Sequence, residues 1–457
     1  MVSPKNAREA ALLALLEIDT KNAYAQQARD RILDSGDLAM RDRAFCTELI
    51  YGVTKHKKTL DHIIEIFSTR PTKKMDPVTR NALRLGVYQI LYLEEIPRHA
   101  AVNESVALAK EWAHSGSAGF VNAILRSIAR EPGAIKFPDP VSEPVSYISL
   151  RYSHPEWLVS RWTKRFGTEE TIRLCQANNE RAPVTIRTNT LKIKRDMLLH
   201  ELTHAGIDAC PSQLVEEGIE LKNGGDLFCH RLYSDGMFLA QDTASMLVAY
   251  ALSPRPDECV LDLAAAPGGK STHIAQLMDD RGQIIACDVH EHRLDLIREN
   301  LERLGISSVK VIHSDSRCLP AEIRAIEFDK VLLDTPCSGT GVLRRRADLR
   351  WQRVEQDLTH LITLQKELLE AAAGQVKPGG VLVYSTCSLE PEENLDVISD
   401  FLSNHPEFSL DDIQPYLPKG FKIAFPEQGK PYVNTYPHIH EIDGFFIARM
   451  KRHFITV

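Results

Sequence analysis

Val260-Leu-Asp-Leu-Ala-Ala-Ala-Pro-Gly-Gly-Lys-Ser-Thr-His-Ile-Ala275 decides the fold. An apolar run ends in an acid, a turn of small residues carries paired glycines, and a helix-forming segment begins at once. Gly268 and Gly269 let a ligand approach the backbone and expose the N–H groups of a helix start. Gly269-Lys270-Ser271 imitates the end of a phosphate-binding loop, but the first glycine of that pattern would fall on Ala264. The dinucleotide fingerprint G-x-G-x-x-G is also absent. Two readings remain on this segment alone: a plain strand-to-helix turn and a different nucleotide-like ligand.

Working outward, strand and helix alternate from about Asp257. Strands are predicted at 259–264, 284–288, 309–313, 328–334 and 380–386, and helices at 270–279, 291–304, 353–374 and 391–403. This alternation predicts a parallel sheet with helices on both faces. The strands end in acids: Asp262, Asp288, Asp315 and Asp334. Asp288 lies about twenty residues past the turn, where doubly wound folds place a carboxylate against ribose hydroxyls. Asp315 suits an adenine edge. A single acid after a strand is usually a cap or a solvated loop residue, but four in series favour an S-adenosylmethionine site.

Cys337 closes Phe328-Asp-Lys-Val-Leu-Leu-Asp-Thr-Pro-Cys337, and Cys387 closes Gly379-Gly-Val-Leu-Val-Tyr-Ser-Thr-Cys387. Each apolar run stops in small polar residues, as a buried parallel strand does when its carboxyl end opens into a site. Two thiols delivered there beside Asp334 point to covalent chemistry. The other seven of the nine cysteines are scattered, with no C-x-x-C pair, which suits free thiols in a reducing cytosol. His438 and His440, alternating in an expected strand, lack further ligands, so no metal is expected.

The chain has 457 residues, 43% hydrophobic and 26% charged, which predicts two or three domains with ample core material. No apolar run approaches the roughly 20 residues that span a bilayer, and the N-terminus lacks an apolar signal core, so a cytoplasmic protein away from membranes is expected. The net charge is −7, yet residues 1–135 hold 19 Lys and Arg against 16 Asp and Glu, a net +3. A net-acidic protein can still bind RNA through a local basic patch. Residues 5–130 keep apolar positions at three- and four-residue intervals and predict an all-α domain. A stretch with three Pro-containing breaks, 131–144, predicts a domain boundary, and residues 146–235 mix helix-like and strand-like segments.

Ala264-Ala-Ala-Pro-Gly-Gly-Lys270, Asp334-Thr-Pro-Cys-Ser-Gly-Thr-Gly341 and Tyr384-Ser-Thr-Cys-Ser-Leu-Glu-Pro-Glu-Glu-Asn394 together resemble the RNA cytosine-5 methyltransferases of the Sun/Nop2 group. Gln241-Asp242-x-Ala-Ser-Met246 and Ser153-His-Pro-Glu-Trp157 resemble that family's upstream segments. Asn103-Glu-Ser-Val-Ala-Leu-Ala109 and Phe120-Val-Asn-Ala-Ile-Leu-Arg126 look like a NusB-type RNA-binding domain. The resemblance spans nearly the whole chain. It implies a multi-domain fold: an all-α NusB-like domain (1–140), a small α+β RNA-binding or linking domain (141–235) and an α/β Rossmann-like methyltransferase domain (236–457). The family's usual Asp-Ala-Pro-Cys stands here as Asp334-Thr335-Pro336-Cys337, which bears on the local loop geometry.

The resemblance implies S-adenosylmethionine-dependent formation of 5-methylcytosine in 16S rRNA, free or in an early assembly intermediate, by a monomer. Cys387 would bond C6 of the base and Cys337 would assist release. The order of action rests on the resemblance, since each cysteine ends a strand in the same crevice. Asp334 would hydrogen-bond the ring near N3 through a protonated or donor-shared carboxyl in a dry pocket. Lys270 would orient either that site or the cofactor. The cofactor-binding set implied is Ala264, Ala265, Ala266, Pro267, Gly268, Gly269, Lys270, Asp288, Asp315 and Asp334. Arg344, Arg345, Arg346, Arg350 and Trp351 follow the Cys337 loop and are expected to offer phosphate contacts and a stacking surface for an extruded base. Two alternatives stand beside this: a tRNA cytosine-5 methyltransferase, and a non-catalytic RNA-binding scaffold for ribosome assembly.

Overall fold

The computed structural model describes residues 3–222, 227, 230–421 and 429–454; Cys229 lies outside them. The chain divides into two compact units, Met1–Glu180 with Leu343–Glu355, and Arg181–Val342 with Gln356–Val457.

The first unit is helical. Ala7–Lys21, Ala25–Asp34, Met40–Phe67, Pro77–Tyr92, Arg98–Trp112 and Ser117–Arg130 pack around Leu12, Leu49, Leu60, Leu83 and Leu125, all fully buried. Starts are set locally. The Asn6 side chain accepts from the N–H groups of Arg8 and Glu9, and Asp76 caps Thr79 N–H at 2.9 Å with Pro77 in the first turn. The proline-bearing stretch is a connection, and the compact helical unit continues past it to Glu180. The reason is long-range. Helices Pro144–Arg151, Glu156–Phe166 and Thr168–Asn179 belong with the Met40–Phe67 helix. Lys58 N–H donates to Ser153 Oγ (3.0 Å), Thr59 Oγ1 to Leu150 O (2.7 Å) and Lys55 Nζ to Asn179 O (3.0 Å).

The second unit holds two sheets. The smaller, β1 (Val184–Thr188), β2 (Ala209–Pro211), β3 (Gly218–Leu221) and β4 (Phe238–Ala240), is antiparallel in the order β2-β3-β1-β4. Helix Arg195–His204 covers it through Leu198 and Leu202.

The larger sheet holds β5 (Cys259–Asp262), β6 (Gln283–Asp288), β7 (Val309–His313), β8 (Phe328–Asp334), β9 (Val376–Thr386), β10 (Phe408–Leu410) and β12 (Phe446–Arg452) in the order β10-β12-β9-β8-β5-β6-β7. A short strand, β11 (Tyr432–Asn434), pairs β12. Strands β5 to β9 are parallel, and β10, β11 and β12 are antiparallel additions. Both faces of the parallel part are covered. Val260, Ala286, Leu332 and Val383 pack to one side, and Leu261, Ile285, Val331 and Leu382 to the other. That explains the continuous apolar runs in the sequence. Because β5 neighbours both β6 and β8, chain direction around the sheet reverses there, and a crevice opens at the carboxyl ends of these strands.

His438 and His440 do not alternate along a strand. Pro437 starts a short helix, Pro437–His440, and the His440 ring accepts Tyr436 N–H at 2.9 Å. Among the described residues no helix is long and apolar enough to cross a membrane.

Candidate active site at the carboxyl ends of the strands

Every acid named from the sequence reaches the crevice side of the sheet. Asp262, Asp288 and Asp334 are the last residues of β5, β6 and β8, and Asp315 follows β7. Asp262 is fully buried. It accepts the Ser271 hydroxyl at 2.6 Å through Oδ2, while Oδ1 has no partner among the described residues. Burial pushes its carboxyl up to about 6. Asp288 accepts Ala266 N–H (3.2 Å) and His290 N–H (2.9 Å), tying the turn to β6. Asp315 pairs with Arg317, whose hydrogen bond holds its carboxyl below the ordinary value.

The glycine turn packs closely against the Glu291–Leu304 helix. Gly268 has φ +95°, and a Cβ there would press on Ile297 at 3.2 Å. Its underside rests on Arg187 of β1, which sequence reasoning did not single out. The buried guanidinium donates to Gly269 O (2.7 Å), Thr272 Oγ1 (2.8 Å) and Gln276 Oε1 (2.5 Å), and also reaches Gln241. Asp242 caps the Thr243–Leu252 helix.

Cys337 and Cys387 meet. Their sulfurs are 3.3 Å apart, too far for a disulfide and within hydrogen-bonding distance. The parallel register of Asp334 opposite Ser385 brings the two strand ends level, and Gly341 N–H donates to Cys387 O at 2.9 Å. Cys337 is held far above its ordinary value by the hydrogen bond with Cys387 and by burial. It therefore stays protonated.

Lys270 Nζ bonds Asp334 Oδ2 at 2.5 Å, and Ser385 Oγ donates to Asp334 Oδ1 at 2.7 Å. Burial would lower the Lys270 ammonium, but Asp334, Asp262 and Cys387 outweigh it and hold it above its ordinary value. Its Nζ also lies 5.6 Å from the centre of the Phe445 ring, which arrives just ahead of β12. Lys270 thus sits with Asp334 and the thiols. Both Asp334 oxygens therefore have protein donors, the Lys270 ammonium and the Ser385 hydroxyl. Thr335 keeps the ladder, with its N–H on Ser385 O at 3.0 Å.

Glu393 was passed over in the sequence, although it stands inside a quoted motif. It is fully buried, and its carboxylate receives Ser338 N–H, Gln365 Nε2 and the hydroxyls of Ser338 and Ser388. The signal was present: a Glu-Glu-Asn run just after a strand-end cysteine.

Within the arginine run Arg346 is exposed and Arg345 half-buried, whereas Arg350 departs from the expectation. Arg350 is 1% exposed and donates to Asn178 O (2.6 Å), Asn179 Oδ1 (2.7 Å) and Ser153 O (3.2 Å). Trp351 Nε1 donates to Thr54 O at 2.7 Å, Arg344 is buried, and Arg346 lies over the Tyr24 ring. Leu343–Glu355 is thus part of the helical unit's own packing. The buried Arg350 commits both Nη groups to protein acceptors, which takes it out of the expected RNA surface, and Trp351 is half-buried and anchored through its indole N–H.

Comparisons with known proteins agree along the length of the chain. Residues 249–451 match the family described as 16S rRNA methyltransferase RsmB/F, residues 5–130 the NusB family, and residues 154–227 a ferredoxin-like domain of RsmF/B-like methyltransferases. The probable ribosomal RNA small subunit methyltransferase B of Bacillus subtilis (strain 168) is 37% identical over 452 residues, covering 98% of this chain and 99% of its own. The crystal structure of PH0851 superposes with a TM-score of 0.82 at 30% identity, over 99% of this chain and 100% of its own. A methyltransferase homolog protein from Pyrococcus horikoshii gives a TM-score of 0.58 at 35% identity, over 68% of this chain and 99% of its own.

Proposed function

The chain belongs to the RsmB/F family of 16S rRNA methyltransferases, and from that premise we propose that it forms 5-methylcytosine in 16S rRNA through a transient bond between Cys387 and the base. Its cofactor is S-adenosylmethionine, which supplies a methyl group on a sulfonium. The residues present fit that molecule. The unpartnered buried oxygen of Asp262, at the end of β5, is an acceptor for an ammonium.

The observation that carries the covalent reading is the 3.3 Å pairing of the two thiols beside Lys270 and Asp334. Cytosine C5 is a poor nucleophile, and adding a thiolate to C6 makes it an enamine-like carbon. Cys387 suits that role. Its neighbour Cys337 is the protonated partner, and Lys270, bonded to Asp334, stands in the same cluster. Lys270, anchored by Asp334, offers the proton that ring N3 needs as charge builds there. On release the C5 proton passes to solvent, the C5–C6 double bond re-forms and the C6–sulfur bond breaks. Cys337 then hands its proton to the departing Cys387 sulfur, ring N3 returns its proton to Lys270, and the thiol proton passes back from Cys387 to Cys337, which restores the starting pair.

The target base must leave its stack to reach these thiols, which supports free or early-assembly 16S rRNA as the substrate. All the groups invoked belong to one chain, which supports action as a monomer. Transfer of labelled methyl from S-adenosylmethionine to a 16S rRNA transcript, followed by bisulfite mapping, tests the reading. Cys387→Ala should bind the cofactor and give no product; turnover by that variant overturns the assignment.

A further inference from the structure

Glu393 touches neither cysteine, yet it holds the residue that follows each of them. Ser338 N–H reaches its Oε1 at 2.8 Å and the Ser338 hydroxyl reaches Oε2. The Ser388 hydroxyl reaches the same Oε2 at 2.5 Å. Gln365 Nε2 completes the set, with 3.0 Å contacts to Glu393 Oε1 and to Pro336 O. Cys337 is therefore tied on both sides, through Pro336 and Ser338, to one buried carboxylate and the amide beside it. Cys387 has its own support. It follows β9 directly, and its carbonyl accepts Gly341 N–H. The backbone of Glu393 is fixed as well, since Tyr384 OH donates to its carbonyl at 2.6 Å.

We propose that Glu393 is a positioning residue that sets the distance between the two thiols and so governs how fast the covalent adduct is resolved. The proposal rests on the cysteine-adduct reading above. The chemistry of the side chain supports it. A carboxylate only accepts, and its two oxygens together can take all four donors. Glutamine would turn one of those acceptors into a donor facing donors. Aspartate is shorter by one carbon–carbon bond, about 1.5 Å, and cannot span both loops. The two thiols also differ in dependence. Cys387 keeps its β9 anchor without Glu393, whereas Cys337 sits three residues beyond β8 and loses its tether. Of the two thiols, bond formation at C6 needs only Cys387, and release needs Cys337 within proton-transfer distance of it. Loss of Glu393 should therefore slow release more than addition.

The test uses the full chain, S-adenosylmethionine and a 16S rRNA transcript, with Glu393→Gln, Gln365→Leu and Cys337→Ala in parallel. Cofactor affinity, methyl-transfer rate and the fraction of protein in a denaturant-resistant RNA adduct are read for each. Glu393→Gln should bind the cofactor within about threefold of wild type. It should turn over at least tenfold more slowly and raise the adduct fraction at least tenfold, towards the level of Cys337→Ala. A variant that binds the cofactor with the wild-type partition between adduct and product overturns the role of Glu393. So does one that loses addition and release in equal proportion. If Glu393→Gln fails to fold, Gln365→Leu decides: adduct build-up of about threefold supports the tether, and a wild-type partition overturns it. Absence of adduct in Cys337→Ala would overturn the adduct reading and this proposal together. Adduct there, with none added in the Glu393 and Gln365 variants, counts against the tether alone.

Discussion

Asp262→Asn should make the protein more stable at neutral pH while weakening its grip on the cofactor. Asp262 is fully buried at the end of β5, with one oxygen bonded to Ser271 and the other without a partner. Burial raises its carboxyl from an ordinary 3.8 to about 6. The unfolded chain ionises near 3.8 and the folded one near 6, so above pH 6 the fold carries a charge it would shed. The penalty is absent below 3.8, grows as pH rises, and levels off above about 6. At roughly 1.4 kcal/mol per pH unit it reaches about 3 kcal/mol at pH 7 and only about 1.5 kcal/mol at pH 5. Asparagine keeps an acceptor for Ser271 and removes the charge. Hydrogen exchange of the β5 and β6 amides, or urea unfolding, at pH 5 and pH 8 measures the difference. The variant should gain about 3 kcal/mol at pH 8 and about half of that at pH 5. Its cofactor affinity should fall about 10- to 100-fold, the loss of one charge-assisted hydrogen bond, and wild-type affinity should weaken as pH falls through 6. A variant less stable than wild type at pH 8, or a gap equal at both pH values, refutes the argument.

Lys270→Met should reduce the methyl-transfer rate by about 10²–10⁴-fold, the usual worth of a positioned proton donor, with RNA binding retained; single-turnover kinetics reads both, and a near wild-type rate contradicts the role. Arg350→Met should destabilise the helical unit by at least about 2 kcal/mol, because it strands buried carbonyls at about 1–3 kcal/mol each. Hydrogen exchange of the helices checks this, and weaker RNA binding at unchanged stability would restore the arginine to the RNA surface.

The parallel strands were legible because both their faces are buried, which leaves unbroken apolar runs ending in acids. Strand β12 was not. Its run Phe446-Ile-Ala-Arg-Met-Lys-Arg452 holds a buried arginine, Arg449, satisfied by Asp411 and by Ala251 O far away in sequence. The end of the first unit was obscured for a similar reason, since the helices after residue 143 are held by Lys55, Lys58 and Thr59. Arg350 reads as part of an RNA-facing basic run until its own acceptors, spread over residues 153–179, are in place. Glu393 follows an identical Glu392, and no local pattern says which of the two turns inward to Ser338 and Gln365. What stayed hidden in the site was thus the support behind the thiols, which depends on partners brought close only by the fold.

The most direct test of the central claim is a denaturing gel of Cys337→Ala, Cys387→Ala and the double variant after incubation with S-adenosylmethionine and 16S rRNA transcript. Cys337→Ala should accumulate a slow-migrating RNA–protein adduct that disappears when Cys387 is also replaced. An adduct that survives in the double variant, or that forms in Cys387→Ala but not in Cys337→Ala, would contradict the assignment of the two cysteines.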